Sequence, residues 1–220
     1  MIRHARWLAI GLVAVVLGAS ATLWLRHGPG APAVSVGGPF TLTDGAGKTV
    51  TNADFRGRWM LVYFGYTYCP DVCPTELQTI AAALDQLGQL ADRVAPLFIT
   101  VDPGRDTPGV MASYVKLFSP RLIGLTGTDA QISAAAHAYR VYYQKVTPKD
   151  STGYLMDHSS FIYLMGPDGR FRSLYGPGTS ADALAKAIRA RIGGAASLAP
   201  RHRPMDAAWR HETMIGARRG

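Results

Sequence analysis

The sequence predicts an α/β domain, a mixed sheet with helices on both faces, carried behind an N-terminal segment long enough to cross a membrane. Three observations predict it. Strand-like and helix-period runs alternate from Trp59 onward, which is how helices come to cover both faces of a sheet. Two turn signatures, Asp44-Gly45-Ala46-Gly47 and Gly166-Pro167-Asp168-Gly169, lie between strand-like runs and add hairpins. Trp7 to Leu25 is nineteen residues without a charge.

A helix of that length spans about 28 Å, close to the ~30 Å hydrocarbon core of a bilayer. Arg3, His4 and Arg6 precede it, which favours an inside N-terminus and places the rest of the chain on the outer, oxidising side. Trp7 and Trp24 stand at its ends, where indoles favour the interface. Ala19-Ser20-Ala21 resembles a signal-peptide cleavage site, but the apolar run continues past it through Leu23-Trp24-Leu25. The expected division is therefore a short cytoplasmic N-terminus over 1–6, a single-pass signal anchor over 7–25 and a linker over 26–39. A globular domain follows over 40–193, then a basic tail over 194–220. That tail lacks apolar periodicity and is expected to be disordered.

Charge is distributed unevenly along the 220 residues. The formal net charge of +8 divides into +3 over residues 1–27, +3 over 194–220 and only +2 over 28–193. The folded part therefore has no basic stripe of the kind that nucleic acid requires, and nucleic-acid binding is not expected.

Each element has a local reason. Phe40–Thr43 and Thr49–Thr51 flank the first turn, and Asn52 is placed to cap a short turn through Phe55. Trp59–Phe64 is almost wholly apolar or aromatic, the mark of a strand buried on both faces. A helix is expected over Thr75–Leu90, since Leu77, Ile80, Ala81, Leu84 and Leu87 recur at its period. Val94–Val101 is a second central strand. Asp102 to Pro108 is a turn leading into a helix that ends near Phe118. Leu122–Leu125 is a short strand, and Thr128 or Asp129 caps a helix through Tyr139. Val141–Val146 reads as an edge strand and Thr147–Asp157 as a polar loop. Ser160–Met165 and Phe171–Leu174 flank the second turn. Ser180 caps a last helix over Ala181–Ile192, which Gly193-Gly194 should stop.

The chemistry concentrates where the first central strand hands over to a helix. Phe64-Gly65-Tyr66-Thr67-Tyr68-Cys69-Pro70-Asp71-Val72-Cys73-Pro74 carries the only two cysteines, four residues apart. Unpaired N–H groups and the positive dipole end of a helix N-terminus favour a thiolate there. His158, ahead of a later strand, is expected at the same sheet edge. Two thiolates and an imidazole form a soft three-coordinate set that suits Cu(I). Asp157 could orient the imidazole or supply an outer oxygen, and Asp71 sits between the thiols. The bland alternatives are an inert Cys69–Cys73 disulfide and a solvated His158. His137, Met111, Met156 and Met165 read as core or surface residues, and Arg105 and Asp106 as turn-fixing groups. Tyr63, Tyr66 and Tyr68 are candidates to shield the site.

Three stretches resemble the Sco/SenC copper-binding proteins of the thioredoxin-like superfamily. They are the cysteine segment above, Val101-Asp102-Pro103-Gly104-Arg105-Asp106-Thr107-Pro108, and Asp157-His158-Ser159 with Gly166-Pro167-Asp168-Gly169 beyond it. The resemblance covers roughly residues 37–192 and leaves the tail unaccounted for. It implies a thioredoxin-like fold on a bacterial-type inner membrane, with the domain on the periplasmic side. It implies copper, as Cu(I) or Cu(II), held by Cys69, Cys73 and His158, with Asp71 tuning the site or touching a partner. It implies a role in assembling the binuclear copper centre of cytochrome c oxidase subunit II. Other copper chaperones or thioredoxin-like reductants would be further partners.

Two other classes compete with a copper chaperone. A thiol–disulfide oxidoreductase would use Cys69 and Cys73 as a redox disulfide. The spacing is one residue longer than the usual C-x-x-C of such enzymes, and no proline precedes the facing strand. A structural domain would hold the same pair as an inert bond. The expectation is a chaperone rather than an enzyme.

Overall fold

The computed structural model describes residues 17–20, 22, 36–149 and 153–198, with side chains described to residue 194. The chain divides into two compact units, residues 1–36 and 37–220. The described residues 17–20 and 22 are helical. Most of the anchor expected over 7–25 lies outside the described residues, as does most of the 194–220 tail. Among the described residues, no helix is long and apolar enough to cross a membrane.

The second unit is built on a seven-stranded sheet. Its strands are β1 (Thr41–Asp44), β2 (Thr49–Thr51), β3 (Trp59–Gly65), β4 (Val94–Thr100) and β5 (Ile123–Thr126), with β8 (Ile162–Met165) and β9 (Phe171–Tyr175). Their spatial order is β2-β1-β5-β4-β3-β8-β9. β3, β4 and β5 run parallel, and β1, β8 and β9 pair antiparallel. This is the mixed sheet expected from the sequence. All seven residues of β3 and of β4 are buried, as their apolar runs require.

Helices cover both faces. Tyr63 and Phe98 stack on one face, and Tyr114 of α2 (Pro108–Lys116) packs on Phe98. On the other face Phe64 meets Tyr139 of α3 (Asp129–Tyr139), and both rings meet Tyr163 of β8. α1 (Val72–Leu87) packs against α4 (Ala181–Leu198). The arrangement is consistent with a thioredoxin-like fold.

Several boundaries differ from those expected. α1 begins at Val72, not Thr75, so Cys73 belongs to the helix. Pro74 falls in its first turn, where a missing N–H costs nothing. The helix ends at Leu87, because Gly88 turns to a φ of 58° and opens a 3-10 turn through Arg93. Thr51, not Asn52, caps the first 3-10 turn: the Asp54 carboxylate accepts from the Thr51 N–H and hydroxyl. Asn52 instead accepts from the Phe40 N–H. Gly193 and Gly194 do not stop α4, which runs to Leu198. A glycine inside a helix costs only about 1 kcal/mol relative to alanine.

The largest difference lies between residues 141 and 158. The expected edge strand is not part of the main sheet. Tyr143–Val146 (β6) pairs antiparallel with Leu155–His158 (β7), four residues of the stretch read as loop and its border. Leu-Met-Asp-His has no β-branched residue, so propensity alone does not mark it. Its alternation of exposed Leu155 and Asp157 with half-buried Met156 and His158 shows what selects it. One face of the ribbon lies on the domain.

Candidate metal centre

β3 ends at Gly65, beneath the thiol of Cys73. A Cβ on Gly65 would lie 2.8 Å from Cys73 Sγ and 2.8 Å from Phe98 Cε2, so only glycine lets the helix start sit this close to the strand. The chain then turns through Tyr66–Cys69, with Cys69 N–H donating to the Tyr66 carbonyl at 3.4 Å. Cys73 is fully buried in the first turn of α1, while Cys69 is half-buried at the rim. Both thiols are free. Asp71, at the N-cap position, makes no side-chain cap bond. The Cys69 sulfur takes that role instead, accepting from the Cys73 N–H at 3.4 Å. The helix terminus thus aims an otherwise unpaired donor at a sulfur, as expected of a site that favours thiolate.

The β6–β7 ribbon brings in the third donor. His158 closes β7, and its Nε2 lies 3.3 Å from Cys73 Sγ. Its Nδ1 lies 3.2 Å from the Ser159 carbonyl, which only accepts. That pattern assigns the proton of the neutral ring to Nδ1 and leaves the Nε2 lone pair facing the thiols. Tyr66 and Tyr63 present ring edges to the imidazole, at centroid distances of 5.8 and 6.4 Å, and both are buried. The ligand atoms of Cys69, Cys73 and His158 all lie within 4.8 Å of one another. Two sulfurs and one imidazole, walled by aromatic rings and free of carboxylate oxygen, fit a soft ion such as Cu(I) and not a hard, oxygen-seeking one.

The two thiols are electrostatically unequal. The Cys69 thiol is pulled far below the usual range by hydrogen bonding from the Cys73 thiol, against an opposing effect of burial, with the backbone N–H groups of Asp71 and Cys73 adding to it. The Cys73 thiol is pushed up by that same bond to Cys69 and by burial. The pair therefore holds one proton, on Cys73, beside a Cys69 thiolate. Burial also raises Tyr63, with the neighbouring Cys73 adding to it, so the aromatic wall stays neutral.

Sequence reasoning placed Arg105 and Asp106 in a turn and missed what that turn does. Asp106, fully buried, accepts from the Thr67 N–H at 3.1 Å, the Thr67 hydroxyl at 2.6 Å and the Thr100 hydroxyl at 2.6 Å. It ties the cysteine segment to the end of β4. Arg105 grips the ribbon: its Nη1 donates to the Tyr154 carbonyl at 3.0 Å, and its guanidinium lies 3.8 Å from the Tyr154 ring centroid. Asp102 joins them, bonded to Arg105 Nε and accepting from the Tyr154 hydroxyl at 2.9 Å. Adjacent residues of one turn thus hold both halves of the site. A charged pair in a turn that follows a strand was the only sequence signal for it.

Two expected neighbours stand apart. Asp157 is exposed, because strand alternation turns it away when His158 turns in, and the imidazole is oriented by the Ser159 carbonyl. Asp71 is exposed beside the thiols, and its contact with the site runs through its backbone N–H.

Residues 29–193 match the family model described as SCO1/SenC. The chain is 45% identical over 165 residues to the mitochondrial SCO1 homolog 1 of Arabidopsis thaliana, covering 74% of this chain and 49% of that protein. It thus spans about half the length of that relative. It is 43% identical over 191 residues to SenC of Rhodobacter capsulatus, covering 82% of this chain and 86% of that protein. The crystal structure of Arabidopsis thaliana ScoI with copper bound superposes with a TM-score of 0.69 at 44% identity, over 73% of this chain and 99% of that one. With the family model spanning the domain from linker to last helix, this chain belongs to the SCO1/SenC family.

Proposed function

We propose that this protein is a membrane-anchored copper chaperone. Its cargo is one Cu(I) held by Cys69, Cys73 and His158, and its client is the binuclear copper centre of cytochrome c oxidase subunit II. The observation that carries the reading is the convergence of the three donor atoms within 4.8 Å. The copper bound in the Arabidopsis relative supports it. Capture needs no oxidant: the Cys69 thiolate and the Nε2 lone pair are ready donors, and Cys73 releases its one proton to solvent as its sulfur joins them. The half-buried Cys69 is the donor a client can reach, so hand-over begins there. The N-terminal apolar run supports anchoring, with the domain on the periplasmic side of a bacterial-type inner membrane.

The test is a Cu(I) titration of the reduced protein against a competing chelator. One copper per chain is expected, weakened by His158→Ala and by either cysteine to alanine. Undiminished binding in all three variants would place the ion elsewhere.

The asymmetry of the thiols favours a second reading on the same atoms, a dedicated reductant of the client's copper-site cysteines. The Cys69 thiolate would attack a client disulfide, releasing one client thiolate and forming a mixed disulfide. Cys73, on losing its proton, would attack Cys69 Sγ and release the second client thiolate. Two electrons pass to the client, and the Cys69–Cys73 disulfide remains for a thioredoxin-like reductant to restore. Rapid reduction of a client-derived disulfide peptide by metal-free protein, absent in Cys69→Ser, is the measurement that favours it.

A further inference from the structure

The end of the sheet opposite the cysteines is an arginine pole. Arg58 and Arg93 immediately precede β3 and β4, whose first residues Trp59 and Val94 are paired. The β8–β9 turn lies beside them, since Gly57 N–H donates to the Pro167 carbonyl. That turn carries Arg170, Arg172 follows in β9, and Arg56 hydrogen-bonds to the Asp168 carbonyl. With Arg121, six guanidinium groups here face three carboxylates: Asp168 pairs with Arg172 at 2.7 Å, Asp92 pairs with Arg121, and Asp54, hydrogen-bonded to the neutral Thr51, keeps its charge. Arg93 and Arg170 are exposed, and among the described residues no side-chain hydrogen bond or ion pair holds either. At the cysteine end Asp102 is paired with Arg105, Asp106 and Glu76 are buried, and Asp71 is exposed.

Gly37, the first residue of the second unit, lies near the same pole. Gly37 N–H donates to the Ala138 carbonyl, and Gly37 lies against Met165, the last residue of β8. β3 spans seven residues from this pole to the cysteine end, about 20 Å at strand rise.

We infer that the arginine pole is a docking surface for an anionic phospholipid bilayer. Guanidinium groups pair with lipid phosphates. The domain is thereby held upright, with Cys69 and His158 turned away from the lipid toward a client. The inference rests on the anchored reading above, but it is separable from it. Residues 7–25 would tether the chain to any bilayer, whereas the pole requires negative headgroups.

The test uses the full chain in lipid nanodiscs of phosphatidylcholine alone or with phosphatidylglycerol, each with a paramagnetic headgroup lipid. In the anionic discs the amide signals of Gly57 and Gly169 should fall at least twofold relative to neutral discs, and that of Thr67 should not. Arg93→Glu with Arg170→Glu, or added salt, should remove the difference and leave copper stoichiometry unchanged. Equal signals in both discs, or a difference that survives the double substitution, would overturn the pole. Carbonate extraction separately reports the anchor. Protein released by carbonate yet drawn to anionic lipid would sink the anchor and keep the pole.

Discussion

Cys73 Sγ and His158 Nε2 face each other at 3.3 Å across a sequence separation of 85 residues. Neither residue could be placed against the other by local chemistry. Cys73 is fixed by the first turn of α1 over Gly65, and His158 by a ribbon outside the main sheet. Their meeting converts a dithiol at a helix start into a three-donor pocket with one proton to lose.

The third donor is the most informative to remove. His158→Ala deletes an imidazole without touching the helix that holds the thiols. Changes to groups that merely orient ligands cost about 10–100-fold in metal affinity. Loss of a ligand itself should reach at least the upper end of that range, read by chelator competition. Circular dichroism and melting should stay close to the parent, since the half-buried ring leaves no sealed cavity.

The shared proton predicts an unusual pH profile. A cysteine of ordinary pKa near 8.5 is only about 0.1% thiolate at pH 5.5. Cys69, its pKa depressed, remains thiolate there. Iodoacetamide at pH 5.5 should therefore label the reduced, metal-free protein once, at Cys69, and leave Cys73 unlabelled. The linkage has the same sign: a depressed thiol contributes stability above its unfolded pKa and loses it as pH falls toward its folded one. The raised Cys73 opposes this at alkaline pH. A labelling rate falling tenfold per unit from pH 8 downward would refute the thiolate.

Much of this site was legible from residue types and order. The two cysteines announce a helix N-terminus because Pro74 and the apolar period of Leu77, Ile80 and Leu84 follow them. The buried strands β3 and β4 are written in uninterrupted apolar runs. His158 is legible as a candidate, but not as a member of β7, because Leu155–His158 is stabilised by pairing with β6 and not by strand propensity. Asp157 was misjudged for the same reason. In a loop it could reach the imidazole, whereas on a strand it must point the other way. The grip of Asp106 on Thr67 was invisible, since it joins residues 39 apart through side-chain oxygens.

Gly65 gives a steric prediction. Gly65→Ala places a methyl 2.8 Å from Cys73 Sγ and 2.8 Å from a Phe98 ring carbon, closer than any relaxed contact. Overpacking of this kind costs about 1–3 kcal/mol. The strain falls on the sulfur that must face His158, so copper affinity should drop along with the melting temperature. An unchanged melting temperature would mean that the helix start shifts freely, which its burial argues against.

The turn from Asp102 to Thr107 gives the last prediction, in which two neighbouring residues fail in different ways. Asp106→Ala removes the acceptor for three donors, the buried Thr100 hydroxyl and the part-buried Thr67 N–H and hydroxyl, and a buried donor left unpaired costs about 1–3 kcal/mol. The expected result is a clear fall in stability, with the cysteine segment loosened at Thr67. Asp106→Asn keeps one acceptor oxygen and should recover part of the loss. Arg105→Ala leaves the helix and both thiols in place and releases Tyr154, so the ribbon carrying His158 loses its hold. Its melting temperature should change less than that of Asp106→Ala. Hydrogen exchange should rise in β6 and β7, and copper affinity should fall about 10–100-fold. Iodoacetamide labelling at pH 5.5 should stay confined to Cys69, because the Cys73 thiol and the helix terminus still hold that thiolate. If Arg105→Ala binds copper as tightly as the parent, the imidazole is positioned by the Ser159 carbonyl and the tyrosine walls alone.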